Sequence, residues 1–204
     1  DPIATGDYVE LPAQPSLAIV PGMPEVWKAV LPTLVPVGAS FRLCLKAEDI
    51  WGNPSGRISE TVRFDTERPV AGLPETVTFQ PGERAKVIDG LSIAGECDLV
   101  IRVLSADGDV LTTSNLCRIS DAYAYGQYWS DLHGQSEETV GTNAARDYFA
   151  FARDLGFLDI AGHQGNDFQI TDAFWAELNG LTAEFDEPGR FVCVPGFEWS
   201  GNTN

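Results

Sequence analysis

Two spacings of apolar residues divide this chain into two parts. Before about residue 122 the apolar positions alternate with polar ones, which is the period of a strand with one buried face. Turn dipeptides such as Asp89-Gly90 and Asp107-Gly108 separate these segments. Short strands with tight turns between them predict an all-β sandwich. The alternating segments are 41–47, 60–65, 76–79, 85–93, 98–105 and 110–119.

Proline limits regular structure in the first 35 residues. Seven prolines fall between Pro2 and Pro36, and proline breaks helices and is excluded from central strands. Only 26–30 has the composition of a strand, and a turn is an equal alternative there. We therefore assign residues 1–122 to a β-sandwich domain that has a proline-rich leading segment.

Helical spacing begins after residue 140. A first helix is predicted from 142, with Thr142 or Asn143 as its N-cap and Gly156 as its stop. A second helix is predicted at 171–181. The apolar faces of the two helices are Ala145, Tyr148, Phe149, Ala152 and Leu155 in the first, and Phe174, Trp175, Leu178 and Leu181 in the second.

Short apolar strands precede, separate and follow these helices. The segments 157–162 and 190–197 have this character, and the segment before His133 supplies the first strand. The order strand, helix, strand, helix, strand predicts a parallel sheet with right-handed crossovers. Residues 123–204 are thus expected to be the start of an α/β domain. Three parallel strands do not close a barrel, so we expect a fragment truncated after about three strands.

Charge narrows the range of partners. The net charge is −17, from 30 acidic and 13 basic residues, which argues against binding nucleic acid or an anionic membrane. The sequence shows neither a signal peptide nor a transmembrane segment. Because the chain begins at Asp1 rather than Met, a removed leader stays an open alternative, and so does the localisation.

The four cysteines do not have the spacing of a zinc ribbon. Cys44 and Cys193 lie in apolar segments and are expected to be buried thiols. Cys97 and Cys117 flank a predicted hairpin, and whether they form a disulfide is left open because spacing alone cannot establish it.

The only two histidines lie where predicted strands end. His133 ends the first strand of the α/β part, His163 ends the second, and Glu198 ends the third. Ligands collect at the carboxyl ends of parallel strands. Imidazole and carboxylate donors suit zinc, manganese or iron. We therefore predict a divalent metal site at this edge. Asp131 is expected to orient the His133 ring without binding the metal itself.

Other polar residues near this edge have two interpretations each. Gln135 is either a weak metal ligand or a structural hydrogen bonder, and Glu138 is either a further ligand or a solvated loop residue. Asn166 and Asp167 either line a substrate pocket or cap a turn. The same choice between substrate contact and loop packing applies to Trp199, Ser200 and Asn202.

These motifs resemble the polymerase-and-histidinol-phosphatase (PHP) family of metal-dependent phosphoesterases, and most closely its DUF3604 branch. The matching words are Asp-Leu-His at 131–133, Ala152 with Gly156, His163, and Pro-Gly-Phe-Glu at 195–198. The family's second opening histidine is Gln135 here, and its Thr-Asp before the next histidine is Ala161-Gly162. The resemblance covers about residues 128–204 and implies a PHP-like β/α barrel.

The resemblance implies a metal-dependent hydrolase, phosphoesterase-like, that acts on a small-molecule substrate with metal-activated water. The metal ligands would be His133, Gln135, Glu138, His163 and Glu198; we identify no catalytic residue. The fragment itself is expected to be inactive and able to self-associate through the open edge of its third strand. The alternative is a non-catalytic binding module in which the β-sandwich is the working part.

Overall fold

The computed structural model describes residues 17–201. The first part of the chain is built of β-strands in several sheets, as the alternating pattern predicts. Sheets of three, three and four strands have the orders β1-β3-β6, β2-β10-β7 and β5-β4-β8-β9. The strands are β1 Val26–Val30, β2 Leu34–Val35, β3 Phe41–Glu48, β4 Thr61–Thr66, β5 Thr76–Thr78, β6 Ala85–Leu91, β7 Cys97–Leu99, β8 Ile101–Leu104, β9 Val110–Thr113 and β10 Cys117–Ile119.

β3 shows how the alternation produces the fold. Leu43, Leu45 and Ala47 are completely buried in a core that all three sheets share. Arg42 and Lys46 occupy the alternate positions and point to the opposite face. The predicted segments 98–105 and 110–119 each contain two strands rather than one, and 26–30, left open above, is strand β1.

The second part contains a three-stranded parallel sheet of order β11-β12-β14. A further parallel pair, β13 with β15, continues past the carboxyl ends of β12 and β14. Two helices connect these strands and bury Phe149, Phe174 and Leu178 against the sheet. The elements are β11 Ser130–Gly134, α1 Ala145–Asp154, β12 Ile160–His163, β13 Gly165–Asn166, a 3-10 turn Asp167–Gln169, α2 Asp172–Phe185, β14 Val192–Val194 and β15 Phe197–Glu198.

The start of α1 differs from the prediction. Its N-cap position is Ala144, which makes no side-chain capping bond, so capping by Thr142 or Asn143 is wrong. α2 begins as expected after Thr171, whose hydroxyl accepts a hydrogen bond from the Phe174 amide at 3.1 Å. It continues to Phe185, four residues past the predicted end, because Thr182 and Phe185 are also buried against the core.

The predicted second and third strands are shorter than expected for backbone reasons. Phe157 has a φ of 58°, in the left-handed region that interrupts a strand, so β12 begins only at Ile160. Pro195-Gly196 divides the third segment into β14 and β15. The division places Glu198 on β15, beside Asn166 of β13.

The β-rich part contacts the amino ends of the parallel strands. Arg42 Nη2 lies 3.2 Å from Asp159 Oδ1, just before β12, and Nη1 donates to the Arg190 carbonyl, just before β14. Lys46 Nζ donates to the Leu155 carbonyl at 2.7 Å, at the end of α1. The charged face of β3 therefore docks at this end of the sheet, which we call the seam.

The four cysteines, Cys44, Cys97, Cys117 and Cys193, are free thiols, so Cys97 and Cys117 are not joined in this structure. Burial raises the pKa of Cys44 to about 11 and that of Cys117 to about 12. Between residues 17 and 201, none of the helices has the length and apolar character needed to cross a membrane.

Candidate functional site

Two predicted ligands meet at the carboxyl end of the sheet. His133 Nε2, at the end of β11, lies 3.4 Å from Glu198 Oε2 on β15. Both side chains are open to solvent, with exposed fractions of 72% and 42%. We call this edge, formed by 131–139, 163–169 and 195–200, the rim. An imidazole nitrogen and a carboxylate oxygen at this distance are donors that a divalent transition metal accepts.

Asp131 contacts the backbone of His133 rather than its ring. Its Oδ1 accepts a hydrogen bond from the His133 amide at 3.0 Å. This contact fixes the turn of the chain that presents the imidazole. Asp131 was predicted to orient the imidazole ring, but in this structure its carboxylate bonds to the His133 backbone amide instead.

His163 is buried beneath the rim. Its exposed fraction is 0%, its Nδ1 accepts a hydrogen bond from the Gly165 amide, and its Nε2 lies 2.7 Å from Ser136 Oγ. Because Nδ1 accepts, the proton is on Nε2 and the ring donates to the serine. Burial lowers the pKa of His163, and the nearby Glu138 carboxylate opposes that shift in part. The ring is therefore neutral, with both nitrogens engaged.

The position of the proton on His163 also decides whether the ring could activate Ser136 as a nucleophile. A general base must accept the hydroxyl proton, whereas Nε2 of His163 already carries a proton. Ser136 is itself fully buried. The hydrogen bond between Ser136 and His163 therefore connects the loop after β11 to the end of β12. Its direction, from the ring to the hydroxyl, is the reverse of that in a nucleophile–base pair.

Gln135 and Glu138 make structural bonds. The Gln135 amide donates to the Gln164 carbonyl at 2.9 Å and accepts from Thr139 Oγ1 at 2.7 Å. The Glu138 carboxylate accepts from the Ala145 amide at 3.3 Å, at the positive end of the α1 dipole. Gln135 therefore has the contacts of a structural hydrogen bonder, one of its two predicted roles. Glu138 has neither the contacts of a metal ligand nor those of a solvated loop residue, because its carboxylate bonds to the first turn of α1.

The predicted substrate residues occupy the outer part of the rim. Asn166 Nδ2 donates weakly to Ser200 Oγ at 3.4 Å, and Asp167 Oδ1 accepts from the Phe168 amide at 2.8 Å, a turn-capping contact. Trp199 is largely exposed, with a fraction of 72%. Asn202 lies outside the described residues.

The five predicted ligands therefore do not converge on one point. Within residues 17–201, no group of three His, Cys, Asp or Glu side chains is close enough to hold a metal ion. The His133–Glu198 pair fits a metal by its donor chemistry, whereas His163 and Gln135 point into other bonds. The fit is thus to a two-donor site on the rim and not to a five-ligand cage.

Charge favours cations at this edge. None of the 13 lysines and arginines lies in 131–139, 163–169 or 195–200, the segments that form the rim. Arg146, Arg153 and Arg190, the basic residues of the α/β part, pair with Glu184, Asp154 and Glu187. An edge with carboxylates and no cationic side chain attracts metal ions and repels anions.

Sequence reasoning missed the contacts that hold the rim together. The Tyr148 hydroxyl lies 3.2 Å from both the Asp131 and Gly162 carbonyls and so bridges β11 and β12. Burial raises the Tyr148 pKa well above its usual range. A Cβ on Gly134 would overlap the Tyr148 ring, so glycine is required there. Residue spacing alone gives no reason for a glycine at 134, and the position of the Tyr148 ring supplies that reason.

Comparisons with known proteins leave the family open. No family model matches the chain. An uncharacterized protein of Chlamydia pneumoniae is 24% identical over 209 residues, covering 98% of this chain and 33% of its own length. This chain thus spans about one third of that relative.

Solved structures show distant likeness over about half of the chain. The D00-D0 domain of intimin aligns with a TM-score of 0.37 and 9% identity, covering 51% of this chain and 50% of that one. The C-terminal domain of ZirS aligns with a TM-score of 0.35 and 16% identity, covering 56% of this chain and 84% of that one. The β-rich architecture rests on the strand pairing described above.

Proposed function

We propose that this chain contributes part of the site of a metal-dependent hydrolase, phosphoesterase-like, with His133 and Glu198 as its metal ligands. The observation that supports this most is the 3.4 Å approach of His133 Nε2 to Glu198 Oε2 across an open, acidic rim. The PHP and DUF3604 motifs at 131–133 and 195–198 agree with these two positions. The metal would be zinc, manganese or iron.

A bound divalent metal would supply Lewis acidity and a deprotonated water. Two protein donors are fewer than the three that catalytic zinc sites use. We therefore assign the pair a metal-holding role and no catalytic step. The chain's own contribution is to present the two donors from β11 and β15, strands of two different sheets. Asp131 holds the His133 backbone, and Tyr148 joins β11 to β12.

The test is metal binding, because the proposal gives the pair a metal-holding role and no catalytic step. Titration calorimetry with Zn²⁺ and with Mn²⁺ is expected to show one site, weakened at least about tenfold, or about 1.4 kcal/mol, in both His133→Ala and Glu198→Gln. Glu177→Gln is the matched control, since Glu177 is an exposed carboxylate on α2. Equal affinity in His133→Ala and the unchanged protein would overturn the proposal.

A second candidate function is a binding module located in the β-rich part. Its supporting observation is an exposed apolar surface beside a groove of about 550 Å³. The Asp49 carboxylate holds this surface by accepting from the amides of Gly22, Trp51 and Asn53. The exposed apolar residues are Ile19, Val20, Met23, Ile50 and Trp51.

Trp51, with an exposed fraction of 82%, is a built-in probe for this candidate. Exposed tryptophan on a fixed turn stacks on apolar and sugar faces. Soluble oligosaccharides are expected to shift the tryptophan emission, and Trp51→Phe is expected to remove the shift. No shift with any oligosaccharide would reject glycan binding at this surface.

A further inference from the structure

A cleft separates the two parts of the molecule at the amino ends of the parallel strands. Its volume is about 770 Å³, within the range of small-molecule sites, which often lie between domains. Both parts line it: Phe41, Arg42 and Asp89 from one side, Tyr128, Asp159 and Arg190 from the other. The cleft is at the opposite end of the sheet from the rim, so it is independent of the function proposed above.

Two arginines in this cleft have weak partners. Arg42 Nη2 lies 3.2 Å from Asp159, and Arg190 lies 3.4 Å from Glu187 and 3.8 Å from Asp154. Strong pairs of guanidinium and carboxylate are about 2.7–2.9 Å long. The protein achieves such lengths elsewhere, at 2.8 Å for Arg153 with Asp154 and 2.9 Å for Arg118 with Asp98. Arg153 holds Asp154 and so leaves Arg190 with donors to spare.

An acceptor for a cation lies beside Arg42. The register of β3 and β6 pairs Phe41 with Leu91 and Leu43 with Ile88, so Asp89 and Gly90 both stand opposite Arg42 in a bulge. Asp89 makes no side-chain hydrogen bond or ion pair with residues 17–201. The cleft thus offers loosely paired guanidinium groups and an open carboxylate in one lining.

The other residues that line the cleft restrict the net charge of the ligand and favour an apolar group on it. Asp159 and Glu187 also face the cleft, and they disfavour a dianion such as phosphate because like charges repel. Pro32, Pro36 and the exposed ring of Tyr128 provide apolar surface. A ligand that satisfies all of these groups carries one carboxylate, one ammonium and an apolar side chain.

We propose that the cleft binds a free α-amino acid with an apolar side chain. Its carboxylate bonds to Arg42 and Arg190, its ammonium to Asp89, and its side chain packs on Tyr128 and the prolines. For a ligand the size of phenylalanine, the usual affinity per atom gives a Kd of about 1 mM. Because the ligand touches both parts, its binding stabilises their docking.

The probe is L-phenylalanine, titrated by calorimetry into the whole chain. Phenylacetate lacks the ammonium and phenethylamine lacks the carboxylate, and each is expected to bind at least about tenfold more weakly. That factor corresponds to the loss of one charged hydrogen-bonding partner. Equal binding of all three compounds would overturn the zwitterion assignment, and no heat from L-phenylalanine at several times 1 mM would overturn the site.

Variants locate the binding. Arg190→Gln and Asp89→Asn are expected to weaken L-phenylalanine at least about tenfold, whereas Arg102→Gln, at a surface pair on β8, leaves it unchanged. Thermal melting of each variant without ligand checks that the fold is intact. Unchanged affinity in both cleft variants contradicts the proposal, even if the protein binds phenylalanine elsewhere.

Discussion

The two ends of the parallel sheet have opposite designs. At the amino end, Arg42 and Lys46 of β3 reach across the seam to Asp159 and to backbone carbonyls. At the carboxyl end, His133 and Glu198 stand open to solvent with no basic residue in the rim segments. One end is built from interdomain bonds that border a cleft, and the other is open to solvent.

This difference assigns the β-rich part a position relative to the rim. Strand ends that bind ligands in parallel sheets are the carboxyl ends, and the β-rich part docks on the amino ends. The β-rich part therefore lies at the opposite end of the sheet from the rim and does not cover the rim. The same contrast predicts that loss of an interdomain bond at the seam lowers stability, whereas substitutions of His133 or Glu198 at the rim change metal binding.

The largest expected effect separates the two histidines. His163→Ala removes a buried ring, leaves Ser136 Oγ and the Gly165 amide without partners, and opens a cavity beside Phe174. It is expected to lower the free energy of unfolding by about 2–4 kcal/mol in urea denaturation. His133→Ala, the matched control on the open rim, is expected to stay within about 0.5 kcal/mol. Equal losses in the two variants would remove the distinction between buried and rim histidine.

A smaller effect is expected at the seam. Lys46→Met keeps the apolar stem but removes the bond to the Leu155 carbonyl and leaves half-buried Glu48 unpaired. The expected cost is about 1.5–3 kcal/mol in the free energy of unfolding. Lys28→Met on the neighbouring β1 is the control, since Lys28 is exposed. A cost in Lys46→Met no larger than in the control would mean that the seam contributes little.

Acid pH tests one carboxylate of the β-rich part, Asp49. Hydrogen bonds from the amides of Gly22, Asn53 and Trp51 hold the pKa of Asp49 down to about 2, below its ordinary value of 3.8. The stabilisation is therefore complete above about pH 4 and is lost as the pH falls toward 2. Urea unfolding followed by circular dichroism at each pH should show this loss, and Asp49→Asn should flatten it. An unchanged acid profile in the variant would exclude Asp49 as its source.

Much of the backbone was predictable from periodicity because the core imposes it. The alternation at 41–47 became β3, and the helical spacing of Phe149 and Ala152 became the buried face of α1. The limits of the strands were less predictable. The positive φ of Phe157 and the Pro195-Gly196 division depend on how the chain turns between packed elements, which local spacing does not encode.

The candidate site was predictable only in part for a similar reason. Strand-end position correctly placed His133 and Glu198 at one edge, because parallel strands bring their carboxyl ends together. It could not show that His163 points inward to Ser136, since a strand end exposes one face and buries the other. The bond between Gln135 and Gln164 depends on the loop path after β11, which no spacing rule gives.

The most direct test of the account is Mn²⁺ titration followed by backbone amide NMR signals. Paramagnetic broadening falls off with distance from the ion, so it maps where the metal binds. A metal-binding rim predicts that the His133 and Glu198 amide signals broaden at the lowest Mn²⁺ concentrations, while those of Asp159 and Val192 at the seam stay intact. In His133→Ala, the broadening at the rim is expected to disappear. Early broadening at the seam, or rim broadening that persists in His133→Ala, would contradict a metal-binding rim at the open end of the sheet.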